Sequence, residues 1–166
     1  MNDVCGRRLD LEFGTSARDR LALASDTGFA GALAALETFY AAFNRRDLEL
    51  LGRIWADGPR VQLNNPLGGV LRGAEPIAAL YRRVFHGPVR VWVAFHDVVA
   101  YVSPGMVTFA GRERGECKVG DTVLPLAIRT SRVVALTADG WRQVHHHGSI
   151  DDAHLLARYQ HLVSGG

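Results

Sequence analysis

Apolar and polar positions change their period once along the chain, near Pro88. Upstream, apolar residues recur every three or four positions. Phe29, Leu33, Leu36, Tyr40 and Phe43 fall on one face of a helix over 28–45. The preceding "SDTG" supplies capping residues. Asp47 can cap a second helix in "LELLGRIWA", which "DGP" ends. "RVQLNN" reads as a short strand and "NPLGG" as a turn. "GAEPIAALYRRVFHG" predicts a third helix, with Pro76 in its first turn, where a missing N–H costs least.

Downstream, "VRVWVAFHDVVAYV", "MVTFAGRERGECKV", "TVLPLAIRTSRVVAL" and "WRQVHHHGS" are rich in β-branched and aromatic residues. Turn signals "SPG", "VGD" and "TADG" separate them, which predicts long antiparallel strands joined by hairpins. "SIDDAHLLARYQHLV" predicts a closing helix, with Ser149 and Asp152 spaced as a capping box. The order of helices, then strands, is that of an α+β fold with helices on one face of a curved sheet. Three segments follow: an extension over 1–27, partly helical; the domain over 28–150; and a terminal helix over 151–166.

A chain of 166 residues, 48% hydrophobic and 22% charged, is long enough for one globular domain with a sizeable core. The net charge of +2 is dispersed and does not suit nucleic acid. No apolar run reaches the ~18 residues of a membrane span. The N-terminus lacks the apolar core of a signal peptide, so a cytoplasmic protein is expected. Cys5 and Cys117 are isolated and are expected to be free thiols. No cofactor motif is present.

The run "VHHH" raises the question of a metal. On a strand, His145 and His147 share a face with Trp141 and Gln143, and His146 points the other way with Val144 and Gly148. Three consecutive histidines then cannot converge on one ion. Two histidines without a third ligand make a poor zinc site, so no metal is expected.

The stretch "FYAAFNRRDLELLGRIWADGPRVQLNNPLGGVLRGAEPIAALYRRVF" resembles the N-terminal half of ketosteroid isomerases. It carries a helix, an aspartate with a helix ending in aromatic-"AD", a strand ending in "NP", and then "G-x-x-x-I-x-x-x-Y". The second half resembles the association domain of calcium/calmodulin-dependent protein kinase II. Arg132-Val133 leads, nine residues on, to Trp141 and the "VHHH" strand. Both belong to the nuclear transport factor 2-like superfamily, with the SnoaL-like polyketide cyclases. The resemblance covers about 28–150. It implies a cone: a curved antiparallel sheet wrapped around N-terminal helices, in a cystatin-like roll. A pocket inside and an outer sheet face that forms a homodimer are implied with it.

At the position of the isomerase's proton-shuttling aspartate stands Asn65, or Asn64 after a shift of one. An amide cannot do that work. The isomerase's tyrosine donor falls on Phe39, beside Tyr40, and its second oxyanion donor falls at or next to Arg132. The resemblance therefore implies a pocket without steroid isomerase chemistry. The association domain's matching arginine faces the pocket, which places Arg132, Thr130 and Ile128 inward. The same alignment places Arg112, Arg114 and His146 inward, with Tyr40, Trp55, Asn64, Asn65, Tyr81, Phe85 and Val144 around them. Arginines, an imidazole and amides suit a small organic anion such as a carboxylate. Trp141, Gln143, His145 and His147 then form the dimer interface.

Other readings of the same residues stand beside these. Arg112 and Arg114 can line a solvated face, paired with Glu113 and Glu116. His146 can be a hydrogen-bonded core residue, and the asparagines can serve only the turn. A buried Arg132 needs an anion, supplied either by a ligand or by a protein carboxylate. Three functions compete: a pocket protein for a small anionic molecule; an isomerase, cyclase or hydratase with Arg132 and His146 as catalytic residues; and an association module with a vestigial pocket.

Overall fold

Alanines at 32, 35, 41 and 42 give the first helix a low profile on the side it buries. That helix, α1 (Phe29–Arg45), lies against three strands of one sheet. It ends at Arg46, which takes the left-handed conformation with φ 59°. The Arg46 guanidinium donates to the carbonyls of Val84, Phe85 and Val89, tying the end of α1 to the end of α3 (Ala74–His86). Between them, α2 (Leu48–Ile54) is capped by Asp47, whose carboxylate accepts the Leu50 amide at 2.9 Å. The structure is a computed structural model and describes residues 6–165.

The strands are β1 (Gly6–Leu9), β2 (Gln62–Asn64), β3 (Val70–Arg72), β4 (Arg90–Ser103), β5 (Met106–Val119), β6 (Thr122–Thr137) and β7 (Gly140–Ser149). They form one sheet in the order β1-β4-β5-β6-β7-β2-β3, antiparallel except for the β2–β7 pair. Short β3, between the expected turn 65–69 and the third helix, is an element that the sequence pattern does not predict. Within 6–27, β1 pairs with β4, Phe13 bridges to Phe95, and a 3-10 turn at Leu21–Ser25 packs beside α1. Cys5 lies outside the described residues.

Two bulges set which side chains enter the core. In β4 the register slips between His96 and Val99, so Phe95 and Val98 are both buried. Asp97 occupies the slip with φ 53°, a conformation that aspartate tolerates better than most residues. In β7 the slip leaves Val144 unpaired, so Gln143 and His146 both point inward. Gly140 permits the β6–β7 turn. Its φ is 99°, and a Cβ there would meet the Ala24 carbonyl at 2.5 Å.

The terminal helix α4 (Ala153–Ser164) is capped by Asp152, whose side chain accepts the His154 and Leu155 amides. Ser149 does not cap it, because β7 runs through that residue. The helix carries its own apolar cluster. Leu155, Leu156, Tyr159, Leu162 and Val163 pack with Cys117, Leu124, Leu126 and Ile128, on the same sheet face that holds α1 further along. Cys117 is a buried free thiol, and burial pushes its pKa up. Among the described residues no helix is long and apolar enough to cross a membrane.

Candidate functional site

Strand parity brings Glu113 from β5, Arg132 from β6 and Gln143 from β7 to one place on the inner face, opposite Tyr40 of α1. Arg132 is 1% exposed. Its Nε donates to the Tyr40 hydroxyl at 2.8 Å, Nη1 to Gln143 Oε1 at 3.0 Å and Nη2 to Glu113 Oε1 at 2.9 Å. Tyr40 donates in turn to the same Glu113 oxygen at 2.6 Å. The guanidinium carbon lies 3.6 Å from the centroid of Phe39. Such a desolvated cation–π contact contributes about 2 kcal/mol. Burial alone would depress the Arg132 pKa. Tyr40 and Glu113 outweigh it and hold the guanidinium above its ordinary value. Burial drives the Tyr40 hydroxyl well above its ordinary range, with Glu113 adding to the effect.

Beside this network is a cavity of about 90 Å³. Arg132, Glu113, His146, Asn65, Tyr81 and Tyr159 are its polar lining; Phe39, Phe43, Leu80, Val84, Val91, Val93 and Ile128 are among its apolar walls. His146 is 6% exposed, and among the described residues neither ring nitrogen has a hydrogen-bond partner. Its ring stands edge-on to Phe39 at 6.4 Å. Burial first, then the Arg132 charge, pushes its pKa well below 6.5, so the imidazole is neutral at physiological pH. A neutral imidazole has one donor and one acceptor. Here both lack a partner. Glu113 Oε1 takes two hydrogen bonds, and Oε2 takes none among the described residues.

Asn65, Tyr81, Arg132 and His146 are the expected pocket residues that line this cavity. Asn65 Oδ1 is already engaged by the Leu67 amide at 2.8 Å and shapes the turn. Burial pushes the Tyr81 hydroxyl up to about 12. Tyr40 is buried behind the cavity as part of the arginine network, and Thr130 is buried with its hydroxyl unpaired. Trp55 lies instead along a groove between α2 and α3, which Tyr81 also reaches. Phe85 packs against Phe43 and Tyr81, under Arg46. Val144 is the bulge residue and is only half-buried. Asn64 is not among the cavity residues; its Oδ1 accepts from Gln62.

Two corrections concern orientation. Arg112 and Arg114 do not enter the interior. They are exposed and pair with Asp97 and Glu12. Glu113 is the inward residue, because it shares parity with buried Phe109 and Cys117. Trp141 and Gln143 are not on the outer face: both are buried, since the bulge at Val144 reverses the parity of β7 before His145. The expected outward pair is reduced to His145 and His147. His145 lies against the Gln62 carbonyl at 3.1 Å, and His147 is exposed. The anion that meets Arg132 is a protein carboxylate, Glu113. Among the described residues no group of three or more His, Cys, Asp or Glu side chains is placed to hold a metal ion.

Tyr159 was missed altogether. Its signal was the spacing of Leu155, Leu156, Tyr159, Leu162 and Val163, which marks one helix face. Glu113 also had a signal, the alternation of "FAGRERGEC" itself.

These features define a small α+β protein in which a curved sheet encloses α1 and a buried ion pair. The SnoaL-like domain profile matches residues 32–153, and the chain belongs to that family; its fold is shared with a nuclear transport factor 2-like superfamily protein. Among solved structures, a protein of Thiobacillus denitrificans assigned as a calcium/calmodulin-dependent protein kinase type II association domain is 32% identical. The match covers 72% of this chain and 94% of that one, with a TM-score of 0.58. A protein of Streptomyces avermitilis assigned as a dehydratase of the nuclear transport factor 2-like family is 24% identical over 72% of this chain and 92% of that one, with a TM-score of 0.65. A ketosteroid isomerase-like protein of Erwinia carotovora atroseptica is 21% identical over 73% of this chain and 94% of that one, with a TM-score of 0.61. The last two share the fold. Among curated proteins no match is found.

Proposed function

We propose that this chain binds a small, uncharged molecule bearing a hydroxyl or N–H group in the cavity beside Glu113, Arg132 and His146. The observation that carries this reading is His146, buried against the cavity with both nitrogens unpaired. Each buried unsatisfied polar group costs about 1–3 kcal/mol, and an occupant that both donates and accepts removes that cost. The charge balance argues for a neutral occupant. Arg132 and Glu113 cancel, so a carboxylate ligand would be desolvated without a free cation to meet it. The Glu113 oxygen that accepts no hydrogen bond favours a donor group on the ligand.

Thermal shift on the full chain tests this with pyrazole and 2-methylpropan-1-ol against isobutyrate. The neutral probes are expected to stabilise the protein, by about 2.7 kcal/mol at 100 times their dissociation constant. His146→Leu is expected to abolish the effect. Stabilisation by isobutyrate alone would refute the neutral-ligand reading.

A second reading is favoured by the outer sheet face. Tyr101 is 41% exposed there, beside Val99 and Ala110, in a groove that also carries Arg112, Arg129 and His147. A similar protein is assigned as an association domain. We propose homodimerisation through this face, independent of whether the cavity binds anything.

A further inference from the structure

We propose that Tyr159, carried on α4, is the gate that sets the size of molecule the cavity accepts. This rests on the cavity being a binding site. The family match ends at residue 153, where α4 begins, so the gate lies on chain beyond the matched span. Tyr159 is the buried residue of that helix and lines the cavity directly, while Arg158 and Gln160 on either side are exposed. Helix α4 thus has one side on the cavity and the other in water. The cavity holds about 90 Å³, whereas ligand pockets commonly span about 300–1,000 Å³, and a dry cavity of about 150 Å³ admits benzene. The Tyr159 side chain is one of the walls that bound this space, and it is the wall that α4 supplies.

The attachment of α4 suits such a role. Its apolar face is mostly half-buried, and Gln160 donates one hydrogen bond to the Leu67 carbonyl at 2.9 Å. Leu67 itself lines the cavity. The Tyr159 hydroxyl has its pKa raised by burial, so the side chain stays neutral and the seal carries no charge. A smaller residue at 159 joins the volume of the missing ring to the existing space, without touching Glu113, Arg132 or His146.

Calorimetric titration of the full chain with pyrazole and its benzo-fused homologue indazole tests the gate. Both probes are neutral and offer one donor and one acceptor. The intact protein is expected to bind pyrazole and to discriminate against indazole. Tyr159→Leu is expected to bind indazole at least tenfold more tightly than the intact protein does, and adding His146→Leu should abolish that gain. Tyr159→Phe should behave as the intact protein, because the ring and not the hydroxyl fills the space. Tyr159→Trp, which enlarges the plug, should weaken pyrazole binding at least tenfold; this arm stands even where Tyr159→Leu folds poorly. Pyrazole binding with the same indazole affinity in the intact protein and Tyr159→Leu would overturn the gate and leave the cavity reading intact. Indazole binding that survives His146→Leu would place the probe elsewhere and also overturn the gate. Binding of neither probe to any variant would overturn both readings.

Discussion

Removing Arg132 would leave the Glu113 carboxylate in the core with only the Tyr40 hydroxyl to answer it. A stranded buried charge of this kind costs roughly 3–5 kcal/mol. Arg132→Ala should therefore lower the melting temperature, at about 2–4 °C per kcal/mol for a chain of this size. Arg132→Met with Glu113→Leu removes both charges together and should recover most of the loss, because a buried pair is often replaceable by apolar residues. Differential scanning calorimetry on the three proteins decides the matter. A single variant as stable as the parent would mean the pair is not a buried unit. His146 adds a pH dependence. Its folded pKa lies well below the unfolded value of about 6.5. Above pH 6.5 it is neutral in both states. Below that, the unfolded chain takes up a proton that the fold refuses, so stability falls with falling pH, by about 1.4 kcal/mol per unit. His145, also depressed by burial, adds in the same direction. Melting temperatures between pH 7.5 and 5 should fall, and His146→Leu should make the slope shallower.

At the level of elements, α4 depends on its first turn. Asp152 accepts two amides there, and losing such a cap weakens the first turn. Asp152→Ala should speed proteolytic cleavage within 153–164 while leaving hydrogen exchange in β4–β6 unchanged; protection lost across the sheet as well would show that α4 and the cone unfold together. The helices were legible because α1 and α3 repeat their apolar residues at 3.6 spacing, and the four long strands because turn residues punctuate them. Orientation was less legible, for different reasons in different strands. In β5 the local alternation placed Phe109, Glu113 and Cys117 on one face, and an alignment across the longer hairpin displaced that information. In β7 nothing local marks Val144 as the slipped residue: its bulge arises from pairing with β6, a partner remote from any pattern within the strand itself. The arginine network follows from these two parities. Arg132 faces inward as the resemblance implies, and Glu113 meets it there because the alternation of β5 sets its face.

For the molecule as a whole, the sheet has an inside filled by α1 and α4 and an outside that carries Tyr101, Arg112, Arg129 and His147. Tyr101 is an exposed aromatic residue beside half-buried Val99 and Ala110, and aromatic residues and arginine are enriched at interfaces. Light scattering at micromolar concentration should return twice 18.1 kDa, and Tyr101→Glu should return the single mass. A monomer in the parent protein would remove the association reading and leave the cavity untouched.

The chain divides its labour along its length. Glu113, Arg132 and His146 all fall inside the span shared with the family, and Tyr159 falls beyond it. On the proposed reading, the groups that meet the ligand and the residue that limits its size lie on separate stretches of sequence. On that reading, exchange of the terminal helix alone would change which molecules the cavity admits, while Glu113 and Arg132 stay paired in the core.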